Sequence, residues 1–272
     1  MNLKQGIAAL YKKVSTSLPP DVEEAVRAAL EREKDENSKA SLQNILETVT
    51  RSRAGKLPLC VDTGVPLFFV SVPSGVSHLE INNTIIEATR DATLKVPLTP
   101  SSVDVITGKN TGDNTGEGFP VVHIEETTES KLTVELMLLG AGCESLGNTY
   151  SLPDKELKVG RDLAGVRALI EDAIKKAAGR ACPPYIIGVG IASTRDRAAW
   201  LSKQQLRRKI GDTNPIEVLA EMEAGIRSDI NSSLGKAVVL DIKIGANNRH
   251  PDTYFVDISF LCWNTRRGKL IW

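Results

Sequence analysis

Leu3, Ile7, Leu10 and Tyr11 fall on one helical face, so the pattern predicts an amphipathic first helix. Pro19-Pro20 interrupt it, and Asp21 can cap a second helix running to about Lys34. Ser38 or Ser41 opens a third, with Leu42, Ile45, Leu46 and Val49 at core spacing, and it should end before Gly55 and Pro58. The apolar run LPLCVDTGVPLFFV reads as strand, tight loop and strand, the loop being Asp62-Thr63-Gly64. Ser77-His78-Leu79-Glu80 is a capping box that starts a helix stopping near Lys95, ahead of Pro97. TGKNTGDNTGEGFP has loop composition, VVHIEE and KLTVELMLL read as a pair of strands, and GAGCESLGN reads as a glycine-rich turn. Asp162 to Ala178 is a periodic helix with Gly179 as its stop. The strand YIIGVGI, a helix over roughly Arg195 to Lys209, and a helix capped by Asn214 with Pro215 at its first position follow. In the tail, AVVLDIKIG and TYFVDISFLCW alternate apolar and polar residues like paired strands.

Helices and strands mix without strict βαβ alternation, which predicts an α+β (mixed α/β) fold. The expected organisation is a helical segment over residues 1–56 followed by one mixed-sheet domain over 57–272. No internal repeat is visible, and the glycine-rich loop around residues 108–118 is the best candidate boundary. At 272 residues, 41% hydrophobic and 25% charged, the chain can bury a full core, which excludes wholesale disorder. Its 34 basic and 34 acidic residues leave no net charge, an argument against nucleic-acid or anionic-membrane partners. Aromatics at 4% argue against a stacking platform for single strands. No apolar run approaches the roughly 18 residues of a membrane helix, and the start has no signal-peptide apolar stretch, so the expected compartment is the cytoplasm.

Cysteines stand at 60, 143, 182 and 262, too far apart for a zinc knuckle or C-x-x-C motif. Taken singly, each reads as a small buried hydrophobe. Their contexts argue otherwise: Cys60 precedes the Asp-Thr-Gly turn, Cys182 precedes two prolines that stiffen the backbone, and Cys262 ends a strand beside Trp263. Asp62 is either a plain turn residue or a carboxylate displayed rigidly at a strand end. His78 and His123 read as structural, whereas His250 lies in the polar loop GANNRHPD, where an imidazole can donate to an anionic substrate. TGDNTGEG lacks the ending of a phosphate loop, and GVGIAS lacks the third glycine of a dinucleotide fingerprint.

The ordered set L-C-V-D-T-G at 59–64, N-T-G-D-N at 110–114, G-A-G-C-E-S at 140–145, A-C-P-P-Y-I-I-G-V-G-I at 181–191, and Arg249-His250 followed by C-W-N-T-R-R at 262–267 resembles the α subunit, or N-terminal half, of class I (iron–sulfur) fumarate hydratases and L-tartrate dehydratases. The resemblance implies that Cys60, Cys182 and Cys262 hold a [4Fe–4S] cluster, while Cys143 does not ligate. Three thiolates on four irons leave one iron open as a Lewis acid, whereas a four-cysteine cluster is closed and suits electron transfer. It further implies that Asp62 belongs to the base apparatus, that His250 hydrogen-bonds the substrate, and that Thr63, Gly140 and Gly142 border a substrate carboxylate. The remaining substrate-binding groups come from a β half, so an obligate β subunit and an oligomer are expected.

Four departures stand out. Where the family has Gln, Arg and Lys, this chain has Val61, Thr99 and Leu139, and the usual Gly-Ser-Glu-Asn turn carries Cys143-Glu144-Ser145. The expected activity is reversible water addition to a small dicarboxylate, fumarate/malate first and tartrate next. The competing readings are a cluster-binding paralogue without turnover, motivated by those losses, and an aspartic protease, for which a single Asp-Thr-Gly copy is present.

Overall fold

The computed structural model describes residues 2–234 and 236–272. In chain order the elements are α1 (Leu3–Thr16), α2 (Pro20–Arg32), α3 (Glu36–Gly55), β1 (Val65–Pro73), α4 (His78–Lys95), β2 (Val121–Thr127), β3 (Thr133–Leu139), α5 (Ala141–Glu144), β4 (Asn148–Ser151), α6 (Leu163–Ala177), β5 (Tyr185–Ala192), α7 (Arg195–Gln205), α8 (Glu217–Leu234), β6 (Val239–Ala246), β7 (Phe255–Leu261) and β8 (Arg266–Ile271). This is the expected α+β content. The chain folds into two compact units, each discontinuous in sequence. The first comprises the chain up to Pro19, Glu47–Ala141 and Asn264–Trp272; the second comprises Pro20–Leu46 and Gly142–Trp263.

The first unit is built on a sheet of order β2-β1-β3-β8. β1 pairs in parallel with β2 and antiparallel with β3, which brings Val65 opposite Leu139. α4 makes the crossover that a parallel pair requires. Its core joins Phe68, Val70, Leu136 and Leu138 of the sheet to Ile7 and Tyr11 of α1 and Ile85 and Ala88 of α4. The buried Tyr11 hydroxyl is satisfied by the Thr89 hydroxyl at 2.8 Å, and burial pushes the Tyr11 phenol well above its ordinary range.

The second unit has a sheet of order β4-β7-β5-β6, again with one parallel partner (β6) and one antiparallel partner (β7) for the central strand. Ile187, Val189 and Ile191 of β5 join the core built with α6 and α8. The other face of β5 carries Gly188 and Gly190. A Cβ there would lie 2.2 Å from the Ser202 and Ala198 carbonyl oxygens of α7, so only glycine permits this close approach. β6 is an edge strand, and side chains blunt it: Glu223 accepts from the Ile244 N–H at 2.6 Å, and Asn214 donates to the Ile244 carbonyl at 2.7 Å.

Several expectations are corrected. The two strands read as a pair, β2 and β3, do not pair; β1 lies between them. Likewise β5 separates β6 from β7. Adjacency in sequence favoured hairpins, but the most apolar strand takes the centre of each sheet, where both faces are covered. Residues 57–64 form no strand before the loop; Leu59 instead donates its N–H to the Ser15 carbonyl at 2.9 Å. α3 starts at Glu36 because Asp35 accepts from the Ser38 N–H. Asp21 lies inside α2 and accepts from the Ile210 N–H at 2.8 Å. α8 begins at Glu217, since Asn214 closes a turn onto the Ile216 N–H.

A repeat invisible in the residues is present in the topology. Each central strand (β1, β5) is followed by a helical crossover to a parallel edge strand (β2, β6) and then by an antiparallel partner (β3, β7). The strand after β3, β4, pairs with β7, and the strand after β7, β8, pairs with β3. The fourth strands are thus exchanged between the two sheets.

Candidate functional site

The quoted motifs that flank the sheets fall at matching places of this repeat. L-C-V-D-T-G leads into β1 and A-C-P-P leads into β5; G-A-G-C-E-S leaves β3 and C-W-N-T leaves β7. Antiparallel pairing puts the start of a central strand beside the end of its partner. In each sheet, therefore, one motif enters and the other leaves at the same end.

In the first unit the Asp62 carboxylate is fully engaged. Its Oδ1 accepts from the Gly64 N–H at 2.9 Å, and its Oδ2 accepts from the Ala141 N–H at 2.8 Å. Gly64 has φ +85°, and a Cβ there would lie 2.7 Å from the Leu139 carbonyl oxygen, so the third position of the turn must be glycine. Arg266, only 2% exposed, donates from Nη1 to the Asp62 carbonyl at 2.6 Å. The buried Thr63 hydroxyl accepts from the Thr99 N–H at 2.9 Å, and the Thr99 hydroxyl donates to the Val61 carbonyl at 2.8 Å. Thr99 therefore ties this turn to the next loop. Asn114 of N-T-G-D-N stabilises that loop by donating to the Thr99 carbonyl and accepting from the Ser101 N–H. Gly140 sits against this network: a Cβ there would be 3.5 Å from Asp62 Oδ2.

In the second unit Cys143 is buried, Cys262 is half-buried and Cys182 is exposed, and all three are free thiols. The hydrogen bond that the Cys143 thiol donates to Cys262, together with burial, pushes this thiol far above its ordinary range, with a smaller charge effect from Cys182. Cys143, which is not expected to ligate, is thus a direct neighbour of Cys262. Gly142 opens the same turn, and a Cβ there would meet nothing within 4 Å. His250 is held by its backbone, whose N–H donates to the Ser193 hydroxyl at 3.1 Å, and its Nδ1 accepts from the Asp252 N–H at 3.1 Å. An accepting Nδ1 places the ring proton of the neutral imidazole on Nε2, which is left as the outward donor.

Cys60, Asp62, Thr63 and Gly140 belong to the first unit, and Gly142, Cys182, His250 and Cys262 to the second. Cys60 is half-buried and is also a free thiol. Sequence reasoning gave no role to Arg266 of the C-W-N-T-R-R motif; an arginine four residues past a strand-end cysteine was the available signal. It also missed Arg249, which donates to the His250 and Pro251 carbonyls and stacks 4.7 Å from the Tyr254 ring centre, stiffening the histidine loop. Lys203 forms an ion pair with Glu144 of the glycine-rich turn, and nothing in the sequence pointed to it. Among the described residues, no group of three or more His, Cys, Asp or Glu is set to hold a single metal ion, and no helix is long and apolar enough to cross a membrane.

Comparison with known proteins gives a consistent picture. A family model described as fumarate hydratase (Fumerase) matches residues 4–271. A Geobacillus stearothermophilus protein carrying the name of class I fumarate hydratase is 39% identical over 97% of this chain, which covers 54% of that protein. A Methanocaldococcus jannaschii protein named for the L(+)-tartrate dehydratase α subunit is 31% identical over 98% of this chain and 96% of its own length. The L(+)-tartrate dehydratase subunit alpha of Escherichia coli O157:H7 is 30% identical over 99% of this chain and 90% of its own length. The chain thus spans about half the length of the first relative and nearly all of the other two.

Proposed function

This chain belongs to the class I fumarate hydratase family, and from that membership we propose that it is the α part of a [4Fe–4S]-dependent hydro-lyase acting on a small dicarboxylate. The observation that carries the reading is the family match over residues 4–271, with the quoted cysteine and Asp-Thr-Gly motifs at strand ends. The same match displaces the aspartic-protease reading. Fumarate/malate is the first substrate pair and tartrate the next, after the names of the relatives.

The donor set fits an iron–sulfur group in its chemistry. Cys60, Cys182 and Cys262 are free thiols in loops at strand ends, and soft thiolates are the ligands such clusters take. These three residues would hold it, and when bound it supplies an open Lewis-acidic iron toward the substrate hydroxyl. The chain's own residues serve one end of the substrate. His250 donates from Nε2 to a substrate oxygen. Asp62, with both oxygens engaged by amides, acts through orientation: it fixes the Gly140–Gly142 segment whose backbone faces the substrate carboxylate. Arg266 supports the Asp62 backbone by donating to its carbonyl. The charged groups for the second carboxylate and the rest of the base come from a β subunit, the partner implied by relatives named as α subunits. Cysteines outside disulfides support reading the complex as cytoplasmic.

The test is anaerobic purification of the chain with its β subunit and a panel of dicarboxylates. Malate and tartrate should lose water to an alkene, and Cys182→Ser should abolish turnover. Iron incorporation without turnover on any substrate would favour the non-catalytic paralogue, which the exposed Val61 and the residues Thr99 and Leu139 suggest.

A further inference from the structure

The second unit contains a groove of about 790 Å³ that the hydro-lyase chemistry does not use. It is bounded by α2, α8 and the start of β6. Its floor is apolar, from Ala25 and Ala29 of α2 and Val239 and Leu240 of β6, and the small alanine side chains keep it open. Its rim is cationic: Arg32, Lys34, Arg227 and Lys236 line it, against one lining carboxylate, Glu33.

That carboxylate is already satisfied. Glu33 accepts from the Ala237 N–H at 2.8 Å on one oxygen, and from the Lys34 and Asp35 N–H groups at 2.8 and 3.0 Å on the other. Arg32 donates from Nε to the Ala28 carbonyl at 2.9 Å, which leaves its terminal nitrogens for a ligand. Arg227 has Asp241 at 3.5 Å, but Asp241 is also engaged by Lys243 at 2.8 Å and by the Gly211 and Ile242 N–H groups at 2.9 Å. Asp35 offsets part of the Lys236 charge. Counted on the lining residues alone, four cations stand against Glu33, and the neighbouring Asp241 and Asp35 offset part of that positive excess in a chain with no net charge.

We propose that this groove binds an organic phosphate, with phosphoryl groups at the Arg32, Lys34, Arg227 and Lys236 rim and the apolar or planar body on the alanine–valine–leucine floor. Guanidinium and ammonium groups suit phosphoryl oxygens, and the volume lies in the range of small-molecule sites. A purely inorganic anion would use the rim and leave the floor empty. The inference is independent of the hydro-lyase reading.

Isothermal titration of the purified chain with ATP, pyrophosphate and fumarate tests it. One ATP per chain should bind, at least tenfold more tightly than pyrophosphate or fumarate, and more weakly as salt rises. Arg227→Gln and Lys34→Gln should each weaken ATP about fivefold or more, while Lys131→Gln, an exposed lysine of the other unit, should change nothing. Lys34 is exposed, so its variant remains informative if Arg227→Gln fails to fold. No ATP binding at millimolar concentration, binding unchanged in both rim variants, or pyrophosphate binding as tightly as ATP would overturn the proposal.

Discussion

The two sheets share one strand arrangement but differ in what they bury. Around β1 the core residues are aliphatic and aromatic, from Phe68 to Leu138, and the Lys269–Glu135 pair on the same sheet keeps Lys269 in water over a half-buried Glu135. Around β5 the face toward α7 is polar and tight. Asp257 bonds the hydroxyls of Ser202, Ser259 and Thr149, and glycines let α7 touch the strand backbone. Lys243 and Asp241 of β6 are buried together at 2.8 Å. Topology thus recurs while chemistry diverges: the first unit carries the anchored carboxylate turn, and the second carries three neighbouring thiols and the imidazole loop.

The largest effect should come from removing the close approach at β5. Gly190→Val forces a side chain into the Ala198 carbonyl and should cost about 3 kcal/mol or more in urea unfolding. Next is Lys243→Met, which strands buried Asp241 and should cost about 3 kcal/mol, whereas Lys269→Met in the first sheet should cost less than about 1 kcal/mol. Equal costs for the two lysines would break the contrast between the sheets. Asp62→Ala deprives the Gly64 and Ala141 N–H groups of their acceptor; about 1–2 kcal/mol and a fall in kcat are expected, with urea melts and the anaerobic assay as checks. The smallest effect concerns His123, stacked on Phe69 at 5.3 Å. Burial holds its pKa below the ordinary 6.5, against an opposing pull from Glu125. The unfolded chain therefore takes up a proton first, and this site's contribution is fully present above about pH 6.5 and shrinks below it. His123→Leu should flatten the stability slope between about pH 7.5 and 5.5 by less than about 1 kcal/mol.

Much of this was legible in the residues. The periodicity of α1 and α6 and the Ser77 cap of α4 are local signals, and these helices lie where those signals put them. Strand order was not legible, because which strand becomes central depends on long-range burial. Nor was the polar face of the second sheet, since buried Asp257 and Lys243 look like solvated alternation until α7 and the β6 edge are seen to satisfy them. At the candidate site, Asp62 and the cysteines were singled out from context. The supporting Arg266 and the proximity of Cys143 to Cys262 required the fold, because each joins segments more than a hundred residues apart.

Iron and acid-labile sulfide counted per chain after anaerobic reconstitution test the central assignment most directly. About four of each are expected in the wild type and in Cys143→Ser, with loss in Cys60→Ser, Cys182→Ser and Cys262→Ser. A wild-type chain that takes up no iron, or full iron retained without Cys182, would contradict it.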